Sequence, residues 1–483
     1  MKYLSTRNKN IYKDSCDAVL SGLAEDGGLF VPEFIPKIDF SLLELPNFSY
    51  EQLASRIINL LLPDFGEDVI KSCVAEGYFG KFDVSQKVDL KYAAGKAFLE
   101  LYHGPTSAFK DMALCVFPRL LTAAAKIKGT KEKIMILTAT SGDTGKAALE
   151  AFADVPGTGI TVFYPEDGVS DIQKLQMKTQ EGSNVIVCAV KGNFDDVQNA
   201  VKIAFSKLKF EDVKLSSANS INIARLMPQV AYYFWAYGRL AKDGKITIGD
   251  SVSFAVPTGN FGDIFAGYLA KKMGLPVNRL LCASNKNNIL TDFINTGIYD
   301  KRRDFYTTSS PSMDILISSN LERLLYFASD ENTDITANCM KDLNEKGVYT
   351  ISPELLQTIR SDFDAEFAGD EEAFAAIKSL WESDGYLIDT HTAVGYACAQ
   401  KAYKDEMVVV LSTASPFKFS ESILTALGLD APKDCFESIE LLEKTCNAKA
   451  PERIAKLKEK SVLHSDVIEA SDLCSYVEKK KGK

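Results

Sequence analysis

Lys110 is the residue in this chain whose type and setting most directly suggest chemistry. It lies in Glu100–Leu114, ELYHGPTSAFKDMAL, where a short apolar strand (Phe98, Leu99, Leu101, Tyr102) runs into His103-Gly104-Pro105 and a helical run begins at Met112. Pro105 fixes φ in the turn and Gly104 relaxes it, so the chain can reverse sharply. Thr106 or Ser107 is placed to cap the helix. A lysine at a helix start meets exposed N–H groups and the positive end of the helix dipole, which together with burial disfavour its ammonium form. A lysine with a lowered pKa is a nucleophilic amine. The competing reading of this stretch alone is an ordinary surface lysine in a first helical turn.

Three further loops follow apolar runs, the address at which open parallel sheets bind ligands. Thr140, Ser141, Gly142, Asp143, Thr144 and Gly145 follow Ile134–Leu137, and their small residues let backbone N–H groups approach a carboxylate; a simple helix cap reads the same. Thr258-Gly259-Asn260-Phe261-Gly262-Asp263 follows Val252–Val256, and two glycines at a helix start suit phosphate. The stretch is neither GxGxxG nor a P-loop, which points away from a Rossmann dinucleotide site and from an NTPase. Leu411–Pro416, LSTASP, puts the hydroxyl of Thr413 at a strand end, where it could meet a ring nitrogen or cap the next helix. An amine nucleophile, an oxyanion nest, a phosphate cup and a hydroxyl facing a heterocycle are together what pyridoxal phosphate requires.

The elements that must hold these loops alternate strand and helix from about residue 98, which implies parallel sheets covered on both faces. Residues 1–97 read as a mainly helical unit, with Tyr50–Leu62 carrying clear helical spacing. Residues 98–250 read as an α/β domain with Lys110 and the TSGDTG loop, and include one long aromatic-rich helix over Ile221–Asp243. Residues 251–430 read as a second α/β domain with a helical, acidic insertion at 310–385, and 431–483 as a helical tail. The 483 residues exceed a single core. A net charge of −10 argues against a nucleic-acid binder. Ten cysteines without a CxxC pair, no signal-peptide-like start and no long apolar run indicate a cytoplasmic protein with no membrane partner. Three histidines give poor support to a zinc site, and no metal is expected.

HGPTSAFKD, TSGDTG, PTGNFGD and STASP, in this order, resemble the threonine synthase family, pyridoxal-phosphate enzymes of fold type II (the tryptophan-synthase-β group). MKYLSTRNK, GLAEDGGLFVPE and SANSINIARLMPQ (217–229) extend the resemblance from Met1 to about Leu427. It implies two parallel-sheet α/β domains around pyridoxal 5'-phosphate, with an N-terminal helical unit and a helical insertion. Lys110 would carry the cofactor; Gly259, Asn260, Phe261, Gly262 and Asp263 would hold its phosphate; Thr413 would face its ring nitrogen. Asp143 would line its phenolic edge. Thr140, Ser141, Gly142 and Thr144 would hold the substrate carboxylate. The implied reaction turns O-phospho-L-homoserine and water into L-threonine and phosphate, with Lys110 freed to move protons. Arg225 and Lys418 are candidates for the leaving phosphate, supported by Asn222 and Ser217, with Lys146 a weaker one. His103 could orient the lysine loop, and His391 reads as a satisfied helix cap. Asp143 stands where Asn is common in the fold group, and Ser415 where a related pattern has His. The rival readings are a phospholyase making 2-oxobutyrate, a serine/threonine dehydratase, and a non-catalytic binding protein of the same family. Either a monomer or a homodimer is compatible with the sequence.

Overall fold

Two parallel sheets frame the molecule in a computed structural model that describes residues 1–140, 142–167 and 169–481. The larger has six strands in the order Phe363–Phe367, Val277–Ser284, Val252–Pro257, Val408–Ser412, Lys96–Glu100 and Asp89–Ala93. All neighbours run parallel except the last pair, an antiparallel hairpin. Its central strands are buried along their whole length, as expected when helices cover both faces. The smaller sheet has five parallel strands in the order Asp466–Glu469, Val185–Lys191, Thr158–Pro165, Lys133–Ala139 and Val213–Ser216.

Sequence neighbours do not always share a sheet. Lys96–Glu100 pairs with Val408–Ser412, Ala97 opposite Val409, so the segment carrying Lys110 hangs from the six-stranded sheet. The TSGDTG loop, which follows it in sequence, belongs to the five-stranded one. The first residue of the lysine strand is itself anchored: buried Lys96 donates to the carbonyls of Tyr403 at 2.5 Å, Lys404 at 3.0 Å and Glu406 at 2.6 Å, just ahead of Val408.

The N-terminal unit does not begin as helix. Asn8–Asp14, Lys2–Ser5 and Phe30–Pro32 form a three-stranded antiparallel sheet. The strand NKNIYKD is polar and largely exposed, so it carries no apolar alternation. The helices Ser15–Ser21, Tyr50–Leu61 and Glu67–Tyr78 follow, the second opened by a Ser49/Gln52 capping box. Tyr3, Leu53 and Ile57 share one core with Phe254 and Ile160 from the two large sheets.

Proline breaks the long helix expected over Ile221–Asp243. Ile223–Leu226 gives way to a 3₁₀ turn over Met227–Gln229 containing Pro228, and Val230–Lys242 resumes. The insertion contains the helices Leu321–Ala328, Thr333–Glu345, Pro353–Asp362 and Asp370–Asp384. It also supplies Val348–Thr350, paired with Ile298–Asp300, and the edge strand Phe363–Phe367. The tail likewise adds Asp466–Glu469 to the five-stranded sheet. No helix among the described residues is long and apolar enough to cross a membrane.

Candidate active site

The lysine loop and the STASP loop are stitched together through their backbones. Leu101 N donates to Ser412 O at 3.0 Å, Phe109 N to Thr413 O at 2.8 Å, and Ser415 N to Ser107 O at 3.1 Å. Lys110 and Thr413 therefore keep a fixed relation, although 303 positions separate them in the sequence (413 − 110). Ser107 sits at φ 56°, and its hydroxyl is buried with no partner. Gly104 has no room for a side chain: a Cβ there would lie 2.5 Å from that of Asp111. Thr106 donates to the Asp111 carboxylate from N at 2.8 Å and from Oγ1 at 2.7 Å. The cap expected from Thr106 is thus inverted, since its hydroxyl serves a carboxylate inside the next turn. Burial pushes Asp111 up to about 6 against those two bonds.

Lys110 itself precedes a helix of only four residues, Asp111–Leu114. So short a helix contributes little dipole, and burial is the main cause that brings the Lys110 amine down to about 8. Asp143 and Asp263 oppose that shift; Lys418 and Arg225 add to it. Its side chain is partly exposed, and its Nζ lies 4.5 Å from the Phe109 ring centre.

In the second loop the Thr140 hydroxyl is fully used by the fold. It accepts from Gly142 N at 3.0 Å and Gly145 N at 2.8 Å, and donates to Gly142 O at 3.2 Å. Gly142 has φ 142°, and a Cβ there would come within 2.6 Å of Gln173. The helix Asp143–Phe152 then starts, with Thr144 partly exposed in its first turn. Ser141 lies outside the described residues. Asp143 accepts from Gln173 Nε2 at 2.8 Å and pairs with Lys418 at 2.5 Å. Burial alone would raise the Asp143 carboxyl, but the Lys418 and Lys110 ammonium groups hold it far below the usual range. Lys418 also donates to Thr106 O at 3.0 Å, tying this loop to the lysine loop. Lys146 turns away to Glu150, at 3.0 Å, and Gln180.

The third loop enters the helix Gly262–Met273 through Phe261, which is left-handed at φ 61°. The first N–H groups of that helix have no partner within it and are free for an anion. A strap from the insertion holds the loop from behind. Ser318 Oγ donates to Gly259 O at 2.7 Å, and Asn320 donates to Asn260 O from N at 3.1 Å and from Nδ2 at 2.9 Å. A Cβ on Gly259 would meet Ser312 O at 2.9 Å. Asp263 Oδ1 accepts from Tyr232 at 2.5 Å and Tyr233 at 2.9 Å, whereas Oδ2 is buried without a partner. Burial pushes Asp263 up to about 6.

Arg225 reaches the same region from the turn before Pro228. It is buried, donates to Ala218 O through Nη1, and leaves Nε unpartnered. Burial pushes it down to about 10, with Asp111 opposing. The polar atoms of Asn222 are engaged in placing that turn: Oδ1 accepts from Ala224 N and Nδ2 donates to Val19 O, each at 2.9 Å. Ser217 Oγ accepts from Asn219 N at 3.2 Å.

The two histidines near the site are satisfied. His391 Nδ1 meets Asp389 Oδ1 at 2.9 Å and its Nε2 accepts from Ser312 N at 3.1 Å, which fits a neutral ring protonated on Nδ1. His103 Nε2 bonds Glu100 at 3.0 Å. Sequence reasoning missed Asp111, Gln173, Asn320 and the Tyr232–Tyr233 pair. The tyrosines read as core because they sit in an aromatic run, and nothing local marks their hydroxyls as partners of Asp263.

This donor set fits pyridoxal 5'-phosphate. It offers a half-buried amine of lowered basicity, a helix start open to phosphate, a threonine whose backbone is tied to the lysine loop, and orphaned polar atoms on Ser107, Arg225 and Asp263. Three family models match the chain in succession: threonine synthase N terminus over residues 2–78, pyridoxal-phosphate dependent enzyme over 97–413, and threonine synthase, C-terminal, over 392–471. The threonine synthase of Pseudomonas aeruginosa is 38% identical over 471 residues, covering 95% of this chain and 97% of that one. The structure of PLP-bound threonine synthase from Brucella melitensis superposes with a TM-score of 0.88 at 38% identity, covering 99% of both chains. Yeast threonine synthase gives 0.89 at 33%, covering 100% of this chain and 99% of that one. The chain thus belongs to the threonine synthase family, pyridoxal-phosphate-dependent lyases of fold type II.

Proposed function

We propose that the protein converts O-phospho-L-homoserine and water into L-threonine and phosphate. The observation that carries this reading is Arg225, a buried guanidinium beside the Lys110 amine that forms no ion pair among the described residues and keeps Nε unpartnered. A buried cation without a carboxylate suits a dianionic substrate group far better than the hydroxyl of serine or threonine.

Bound pyridoxal phosphate supplies an electron sink conjugated to the substrate's Cα. The protein's own groups do the rest. The helix start at Gly262 and the backbone around Asn260 would hold the cofactor phosphate, and Thr413 would serve its ring nitrogen. The first turn of Asp143–Phe152, with Gly142 and Thr144, holds the substrate carboxylate. Lys110 would anchor the cofactor, and its amine, brought down to about 8, suits a base that takes the proton from Cα and moves protons at Cβ and Cγ. Arg225 offsets the charge of phosphate as it leaves Cγ, and water delivers the hydroxyl to Cβ. Lys418 contributes by keeping Asp143 ionised against the lysine loop. The ten cysteines, all unpaired, suit a reducing compartment such as the cytoplasm.

One incubation tests the reading: purified protein with pyridoxal phosphate and O-phospho-L-homoserine, scoring threonine, 2-oxobutyrate and phosphate together. Threonine and phosphate in equal amounts are expected. Phosphate with 2-oxobutyrate and no threonine overturns the assignment in favour of a phospholyase. Arg225→Ala should raise KM for the phosphorylated substrate far more than it weakens cofactor binding.

A further inference from the structure

Arg323 is among the largest fully buried side chains, yet none of its hydrogen bonds goes to a carboxylate. Its Nε donates to Phe30 O at 3.0 Å, its Nη2 to Ile221 O at 2.5 Å, and its Nη1 to Asn320 Oδ1. A buried guanidinium is costly to desolvate, so three acceptors, two from distant segments and one at the start of its own helix, call for an explanation. Phe30 belongs to the N-terminal sheet. Ile221 opens the turn that carries Arg225. Asn320 binds Asn260 O twice and Ser220 Oγ at 3.2 Å, so it touches both the phosphate loop and the arginine turn. Next in the chain, Glu322 takes Arg7 in a fork at 2.8 Å and 2.8 Å and Thr6 at 2.5 Å, fastening the same helix to the N-terminal sheet.

We propose that Arg323 is a positioning residue which, through Asn320 and Ile221, fixes the spacing between the cofactor-phosphate loop and the turn bearing Arg225. Resting on the function proposed above, this makes the clasp a gauge of substrate length. One anion is held by the Gly262 helix start and the other by Arg225, and a planar fork sets their separation where a single ammonium could not. The helix Leu321–Ala328 then has a role inside the site although it contributes no group that touches substrate.

The test compares variants of the full-length protein by cofactor affinity of the apoprotein, by KM against kcat, and by melting temperature. Arg323→Met should raise both the dissociation constant for pyridoxal phosphate and KM for O-phospho-L-homoserine by about tenfold, the scale of a buried charged hydrogen bond, with kcat changed far less. Arg323→Lys should recover only part of either. Asn320→Ala should weaken cofactor binding more than it raises KM. Arg7→Ala, which loosens the same helix from the N-terminal sheet, should lower the melting temperature and leave both constants in place. Variants of Arg323 that melt earlier with both constants unchanged, or that lose kcat alone, would overturn the proposal. If Arg323→Met does not fold, unchanged cofactor affinity in Asn320→Ala does so. If the wild-type protein binds the cofactor but makes no threonine, the proposed function fails, while the clasp is still judged on cofactor affinity.

Discussion

Asp143 and Asp263 occupy equivalent places in the two sheets and behave in opposite ways. Each is buried, each lies in the first turn of a helix that follows a parallel strand, and each faces Lys110. Asp143 meets an ammonium at 2.5 Å and stays ionised well below the usual range; Asp263 meets two phenols and is pushed up to about 6. Burial acts in the same direction on both. What separates them is the charge of the partner, a cation able to offset the lost hydration and a neutral donor that offsets only part of it. The half of the site around Asp143 is thereby fixed in charge, and the half around Asp263 can change charge within the working range of pH.

Removing the group between them has the largest expected effect. Lys110→Met should abolish the yellow absorbance of the bound cofactor and all turnover. It should also stabilise the apoprotein below pH 8 by about 1–2 kcal/mol, because a lysine with a lowered pKa weakens the folded state wherever it must be charged. That cost fades as pH rises from 8 towards the ordinary lysine value, so urea melts of the two proteins should converge there. Wild-type activity in the variant would contradict the mechanism.

Breaking the Asp143 pair comes next. Lys418→Met leaves a buried carboxylate without its cation and should lower stability by about 3–5 kcal/mol. Adding Asp143→Asn should restore much of it, and a double variant no better than the single one would show that Lys418 acts through packing. The matching change on the other side is gentler. A carboxyl raised in the folded state stabilises below its unfolded pKa, and this is lost as pH rises through the folded value. Asp263→Asn should therefore flatten the fall in stability between about pH 4 and 6 by about 2–3 kcal/mol, measured by denaturant melts at the two ends. Asp111, also pushed up to about 6, should keep the remaining slope. The smallest effect belongs to His391. With both ring nitrogens engaged, His391→Gln should cost about 1 kcal/mol and leave the pH profile of turnover unmoved.

The four loops were legible in the sequence because each follows an apolar run and carries turn residues at its tip, so strand, bend and helix start could be placed from local chemistry alone. What joins the loops was not legible. No local signal says that Lys96–Glu100 lies beside Val408–Ser412, that Thr106 serves Asp111, or that Ser318 and Asn320 support Gly259 and Asn260. The strands Asn8–Asp14 and Asp466–Glu469 escaped for a related reason. Both lie at sheet edges with mostly exposed residues, and edge strands need little hydrophobic alternation to pair. The lowered basicity of Lys110 could be anticipated, and burial among its causes; the helix dipole named beside it contributes little, since the helix that follows is too short to supply it.

The pairing of Ala97 with Val409 also has a consequence in time. During synthesis at about 5–20 residues per second, the strand that bears the reactive lysine must wait roughly 15–60 s for its neighbour to be made. One edge can be covered early by the Asp89–Ala93 hairpin, but the other stays open until the strand leading to Thr413 emerges. The nascent chain thus carries its most exposed template for mispairing beside the residue on which its chemistry depends, and demand for chaperones should peak late in translation.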